Sequence, residues 1–590
     1  MRLSIHLFAI SAMASLVAPL TGCGGHDFGS AIPGSVGTAT GAGVKGALSI
    51  ERSARRIHVT KAGAGYPVTA VPHVRVPDEA PCVDVLFTPQ TPPINKGDLP
   101  VGRFGDYKDH PFNYTPPTNC PGPYAKIVLR VRFKVSAGVQ FDRTGAIWVG
   151  ATNIFFGTTA EPGSNASPQW GIERDVTEYS PIFAQSSIGQ ASVYNIVNSQ
   201  YTSTIYGRAE LDFYPATKQY PPAQVADAVY PLSGGPSGGY VNLNKPTDQM
   251  TGTFTFPTNV EAAYLDVFLE SQSTDEFWYT CMPNDLAQKL NNCGNTALRE
   301  GLVTLDGQPA GAVPAYPWIY SGGIDPFLWV PIPGVETLNF VPYRIDLTPF
   351  AGQLDDGNPH TIAVSVFNVN NYFAANAALV VYQDHGSSVV TGRLVSDGTA
   401  SAPNERTVEH VKSGPSGTSG TITTTATHPV SLNGYVITSK GRIDTRVTQH
   451  VRFSNVQKIN VTSSQFLQDI VQKTTVDSDT LTTTKGHAAR SHEQRTWPLT
   501  LNYDFVSTGT ATATQTASVV QTKDEAGANA RPWSLLNTVQ SSDTLMFTPS
   551  GFTPSNGKSR QHYRSHERGR CYDETIKSLN YVLTGIMKGC

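Results

Sequence analysis

Stretches rich in Ala, Leu, Glu and Lys are scarce in this chain of 590 residues, and their scarcity excludes a predominantly helical protein. Charge of one sign is lacking as well. Forty-three Lys and Arg face 46 Asp and Glu, and a net charge of −3 gives no case for a nucleic-acid partner. The sequence holds no Walker loop and no His-Glu-x-x-His, which removes the common nucleotide and zinc-protease motifs. Cysteines number seven and none stands in a Cys-x-x-Cys, so no metal and no cofactor is expected. Long apolar runs are missing beyond the first 23 residues, which leaves no further candidate for a membrane span.

What is present begins with that first stretch. Arg2 is followed by an apolar core from Leu7 to Leu20 and by Leu20-Thr21-Gly22-Cys23. The core is shorter than the roughly 20 apolar residues of a spanning helix and reads as an export signal over 1–22. Leu-Thr-Gly-Cys has the form of a bacterial lipobox, so Cys23 is expected to carry lipid and to anchor a monomer to the cell envelope, its only membrane contact. Residues 23–56, rich in Gly, Ser, Ala and Thr up to about residue 50, read as a flexible tether. Six cysteines remain, Cys82, Cys120, Cys281, Cys293, Cys571 and Cys590, and an even number in an exported chain predicts disulfides. Of the 15 pairings open to six cysteines, the expected one joins neighbours, Cys82–Cys120, Cys281–Cys293 and Cys571–Cys590.

The 53 Gly and 42 Pro punctuate many short Val, Ile, Thr, Tyr and Phe runs, which argues for an all-β chain of sandwiches or barrels. From Ile127 to Val135 every second residue is apolar, with Arg130, Arg132 and Lys134 between them, the period of a half-buried strand. Further apolar runs follow at Ile147–Val149 and around Ile154–Phe156. The first β-domain is placed at 57–239, ending in the Gly-rich linker Leu232–Gly239. The second is placed at 240–386, with a hairpin turned at Asp306-Gly307. Residues 387–590 are Ser/Thr-rich and read as an accessory β-domain. Its His-rich patches, His487 with His492 and His562 with His566, read as solvated loops.

Two carboxylates stand at predicted strand ends. Asp142 lies in Phe141-Asp142-Arg143-Thr144-Gly145, and Glu276 in Asp275-Glu276-Phe277-Trp278-Tyr279. Carboxyl groups in unlike surroundings divide acid and base work, since burial raises one pKa and a nearby cation lowers the other. Aromatic faces beside them suit the apolar C–H surface of sugar rings. The residues alone are open to a glycosidase using the two acids and to a surface protein that only binds glycans.

Several ordered segments resemble the peptide:N-glycosidase A family. They are Ala146–Gly150, Asn153–Pro162, Ile172–Phe183, Asn198–Thr202, Asp275–Tyr279, Arg299-Glu300, Gly311–Val313, Ile319–Trp329 and Ile345–Phe350. The resemblance implies an amidase that cuts the bond between the innermost N-acetylglucosamine and asparagine of N-glycoproteins and glycopeptides. It implies work at acid pH without metal and with tolerance of core fucose. A more distant likeness to bacterial peptide:N-glycosidase F implies two adjacent eight-stranded jelly-roll sandwiches with the site between them. On that likeness Asp142 and Glu276 are the catalytic pair. Arg143, Trp278, Asp325 and Trp329 line the site. Asn198 falls near the place where peptide:N-glycosidase F carries a third carboxylate and is expected to contact substrate without a carboxylate role, and Glu161 stands as the substitute carboxylate at the substrate.

Overall fold

The computed structural model describes residues 66–590 except Thr510 and Ala530; the expected leader, Cys23 and tether lie outside the described residues. Among the described residues the strands form five antiparallel sheets. The first nine strands are β1 (Cys82–Phe87), β2 (Arg103–Phe104), β3 (Asp109–Tyr114), β4 (Tyr124–Val135), β5 (Thr144–Val149), β6 (Thr152–Thr158), β7 (Gln169–Asp175), β8 (Ser187–Val193) and β9 (Ile205–Pro215). They pair as β1-β9-β4-β7, with β2 on β9, and as β3-β8-β5-β6. The next nine are β10 (Ala228–Leu232), β11 (Val241–Leu243), β12 (Met250–Thr255), β13 (Val260–Gln272), β14 (Glu300–Leu305), β15 (Gln308–Pro314), β16 (Tyr343–Asp346), β17 (Pro359–Phe367) and β18 (Tyr372–Gln383). Their sheets are β10-β18-β13-β16, with β11 on β18, and β12-β17-β14-β15. Leaving out the short β2 and β11, both units share one order. That order is first-eighth-third-sixth in one sheet and second-seventh-fourth-fifth in the other.

The local signals explain these strands. In β4 the apolar Ile127, Leu129, Val131, Phe133 and Val135 are buried, and Arg130, Arg132 and Lys134 stay partly exposed. The β14–β15 hairpin turns at Asp306 and Gly307, both with positive φ (50° and 78°), as a two-residue turn matching strand twist requires. All three expected disulfides form.

The Ser/Thr-rich remainder is more regular than its composition suggests. It forms an 11-stranded meander from β19 (Thr391–Asp397) to β29 (Val582–Lys588), built around long strands such as β21 (Gly417–Thr438) and β22 (Gly441–Val461). In β22 Val447, Gln449, Val451, Phe453, Asn455, Gln457 and Ile459 face inward, while Arg446, His450, Arg452 and Lys458 face solvent. The His patches are therefore strand residues, not loops, in His487–Gly509 and Gly551–Glu567. Thr and Ser suit a pleated sheet with one wet face, and period-two alternation, not polarity, decides the structure. This sheet, the third unit of the chain and hereafter the third sheet, is no loose appendage. Its buried Val, Leu and Phe side chains share one core with the second unit.

The first and second units meet along a backbone seam. Thr158 N donates to Thr337 O (2.8 Å), and Phe340 N donates to Phe156 O (2.8 Å). Trp148 Nε1 donates to Asn376 Oδ1 (3.0 Å) on β18. Gly157 sits between the two backbone bonds, where an added Cβ would lie 2.5 Å from Leu338 O. Gly157→Ala is expected to destabilise the protein by about 1–3 kcal/mol in a denaturant melt, because neither backbone can move alone. Gly163→Ala, whose Cβ meets nothing within 4 Å, serves as the neutral control.

Candidate active site at the seam

Asp142 and Glu161 lie just beyond the paired ends of β5 and β6. Arg143 N donates to Thr159 Oγ1 (2.9 Å) and Thr159 N donates to Arg143 O (2.8 Å), which carries the ladder one step further. The two acids are thereby side by side, and Glu161 Oε2 accepts the N–H of Asp142 at 3.2 Å. Gln140 Nε2 holds the returning strand through Ala160 O (2.6 Å).

A loop of the second unit closes over them. Gly322 N donates to Asp142 Oδ2 at 2.8 Å, and Ser321 Oγ approaches the same oxygen at 3.5 Å while bonding Thr159 O. A Cβ on Gly322 would lie 2.1 Å from Glu161 Oε2 and 2.8 Å from Asp142 Oδ1. On the next residue, a Cβ on Gly323 would lie 3.3 Å from Glu276 Oε1. Three carboxyl groups, two from the first unit and one from the second, thus converge on one Gly-Gly turn. A side chain there would collide with the pair beneath it.

Burial controls the charges. It raises the pKa of Asp142, opposed by the Gly322 N–H, the Arg143 guanidinium and the Ser321 hydroxyl. Burial and the neighbouring Asp142 together push Glu161 well above the usual carboxylate range, and few donors oppose them. The pair therefore divides its labour, with Asp142 the group that ionises first and Glu161 the one that keeps its proton. Arg143 is 6% exposed and its pKa is pushed down to about 10 by burial. Its Nη1 donates to Asp142 O (3.0 Å) and the guanidinium lies over the Phe141 ring, whereas Nε and Nη2 are buried without a hydrogen-bond partner. Buried donors left unpaired are costly, and these two nitrogens are free to bond a ligand oxygen.

Residues 102–407 match the family described as peptide N-acetyl-beta-D-glucosaminyl asparaginase amidase A. The chain is 30% identical over 499 residues to peptide-N4-(N-acetyl-beta-glucosaminyl)asparagine amidase A of almond, Prunus dulcis, spanning 80% of this chain and 85% of that one. The chain belongs to the peptide:N-glycosidase A family. Among solved structures it is similar to PNGase F, a glycosylasparaginase from Flavobacterium meningosepticum, at 13% identity and a TM-score of 0.33 over 52% of this chain and 96% of that one. PNGF-II gives 13% identity and a TM-score of 0.34 over 52% of this chain and 65% of that one.

In this peptide:N-glycosidase A family member the remaining expected residues divide. Glu276 is held by its neighbour. Asp275 and Arg299, both fully buried, pair at 2.8 Å, and Asp275 Oδ2 also takes the N–H groups of Asn370 and Asn371. Trp329 Nε1 donates to Gly323 O (2.8 Å), so it braces the turn from behind. Asp325 caps the short helix Pro326–Trp329 through Phe327 N and accepts from Gln515 of the third sheet. Two expectations change. Trp278 is 1% exposed and packs on Phe453, because the third sheet covers the face that sequence reading left open. Asn198 is exposed and spends its Oδ1 on Gln200 N and Tyr201 N within its own turn. Ser321 and Gly322 were not singled out by sequence reading, although both lie inside the family-like segment Ile319–Trp329 and a Gly-Gly pair there was the available signal.

The raised Glu161 gives a stability prediction. A carboxyl whose folded pKa exceeds its unfolded value contributes stability below the usual carboxylate range and loses it as pH rises through the folded value. Glu161→Gln should flatten that decline, raising the melting temperature at neutral pH by about 2–4 °C while leaving it unchanged in acid. Calorimetry across pH checks both halves.

Proposed function

We propose that the protein is a peptide-N-glycosidase, an amidase that hydrolyses the bond between the innermost N-acetylglucosamine and asparagine, releasing the intact N-glycan and leaving aspartate. The observation that carries this is the meeting of Asp142, Glu161 and Glu276 at the Gly322-Gly323 turn, in a chain related along four fifths of its length to an amidase of that name. Asp142 takes a proton from water as the water adds to the asparagine side-chain carbonyl carbon. Negative charge then develops on the carbonyl oxygen, and the unbonded Nε and Nη2 of Arg143 are its stabilising donors. As the carbon–nitrogen bond breaks, Glu161 supplies the proton its burial has kept, and nitrogen leaves as the glycosylamine. Glu276 holds the amide from the second unit. No step calls for a metal or cofactor.

Acid working pH is part of the reading, and its support is the retained proton of Glu161. As pH rises through its raised pKa the proton donor is lost, so the rate falls on the alkaline side. Tolerance of core fucose and preference for glycoprotein or glycopeptide substrates are supported by family membership. Export with a lipid anchor at Cys23 is supported by the leader sequence, and the working form is proposed to be a monomer.

The test is an N-glycopeptide incubated at acid pH with chelator, with and without core fucose, and the peptide product weighed. Aspartate at the former site supports the amidase. A peptide that retains one sugar makes the protein a glycosidase, and an unchanged glycopeptide that is bound makes it a glycan-binding protein. Asp142→Asn is expected to abolish release, a loss of about 100-fold or more, with the fold retained by circular dichroism.

A further inference from the structure

The loop that carries Gly322 and Gly323 runs from the end of β15 to β16 and has little regular structure of its own. Besides its bonds to the first unit at Ser321, Thr337 and Phe340, it is held by the inner face of the third sheet. In Thr512–Ala528, here β25 in chain order, alternate residues point inward, among them Gln515, Val519, Gln521 and Lys523. Gln521 is fully buried and uses both ends of its amide. Its Nε2 donates to Pro317 O at 2.7 Å, and its Oε1 accepts from Val335 N at 2.8 Å. One side chain therefore ties together two points 18 residues apart, at the two ends of the loop. Between them Gln515 Nε2 donates to Asp325 Oδ2 (2.9 Å), Ser541 Oγ bonds Leu328 O, and Trp329 returns the support to Gly323 O. A buried amide is costly unless both its groups are bonded, and here both bonds go to the loop backbone.

We propose that Gln521 is a positioning residue of the amidase site, a clasp from the third sheet that keeps the Gly322 N–H on Asp142. This rests on the amidase reading, since the loop matters to catalysis only if the carboxyl cluster is the active site. The third sheet is then part of the catalytic architecture, and a small displacement of the loop removes a hydrogen bond that favours ionised Asp142.

The experiment compares Gln521→Leu, Gln521→Glu and Gln449→Leu, all in the full chain. Gln449 is a buried amide on the same inner face whose Nε2 donates to the Tyr343 hydroxyl (2.5 Å), outside the loop. Two readouts are taken, glycan release and hydrogen–deuterium exchange of peptides covering 317–335. Gln521→Leu is expected to lower kcat by about 10- to 100-fold, the cost of a small misplacement, with KM within a factor of about two, and to speed loop exchange. Gln449→Leu should do neither. In Gln521→Glu a protonated carboxyl can replace both amide bonds, whereas the ionised form lacks the donor. Lys523, Glu525, Arg495 and Glu336 face the same region, and Lys523 is already paired with Glu336 at 2.8 Å. This variant should therefore approach wild-type release and exchange in acid and lose both as pH rises faster than the wild type does. Should Gln521→Leu fail to fold, Gln521→Glu decides alone. Wild-type kcat and unchanged exchange in Gln521→Leu, or in Gln521→Glu across the whole pH range, would overturn the clasp. If the wild type releases no glycan, the amidase reading falls, and loop exchange still decides whether Gln521 holds the loop.

Discussion

The structure depends on a pair of acids taken out of water together. Asp142 and Glu161 are placed side by side by the last rungs of β5 and β6, close enough for the Glu161 carboxyl to take the Asp142 N–H. Two buried carboxylates in contact repel, so one keeps its proton, and the donors around Asp142 settle which. The covering donor comes from a different unit of the chain. That single bond, Gly322 N–H to Asp142, links the chemistry of the first unit to the position of a loop in the second. It also dictates glycine, since any side chain at Gly322 would occupy the space of the Glu161 carboxyl.

Support for this arrangement is polar to an unusual degree. The third sheet meets the second unit with amides as well as with hydrocarbon. Asn455 and Gln457 bond Tyr279 O and Cys281 O at the end of the segment that bears Glu276, and Gln468 bonds Thr280 O. A buried His428–Glu300 pair joins the same two bodies. Apolar contact alone is non-directional and would let the sheet slide by fractions of a residue. Hydrogen bonds to fixed backbone carbonyls do not, because a carbonyl that loses its partner inside a core carries a penalty of about 1–3 kcal/mol. The Asp275–Arg299 pair acts in the same way. Removing either partner would strand a buried charge, so the turn that presents Glu276 is specified as well as stabilised.

The amino-acid sequence by itself determined the strands, the hairpin at Asp306-Gly307 and the candidate acids Asp142 and Glu276, because period-two burial, turn geometry and strand-end placement are local properties. Glu161 was reachable only as a substitute for a carboxylate missing near Asn198, and the resemblance supplied that thought. The long strands of the third sheet were partly legible, but their polar composition hid which residues faced inward. Only the tertiary structure decided that Glu161 touches Asp142, that Gly322 covers both, that Trp278 is core, and that Gln521 reaches back 186 positions to Val335. The physical reason is the same in each case. A side chain's partner across a sheet or seam is set by which faces pack together, and neither propensity nor spacing along the chain carries that information.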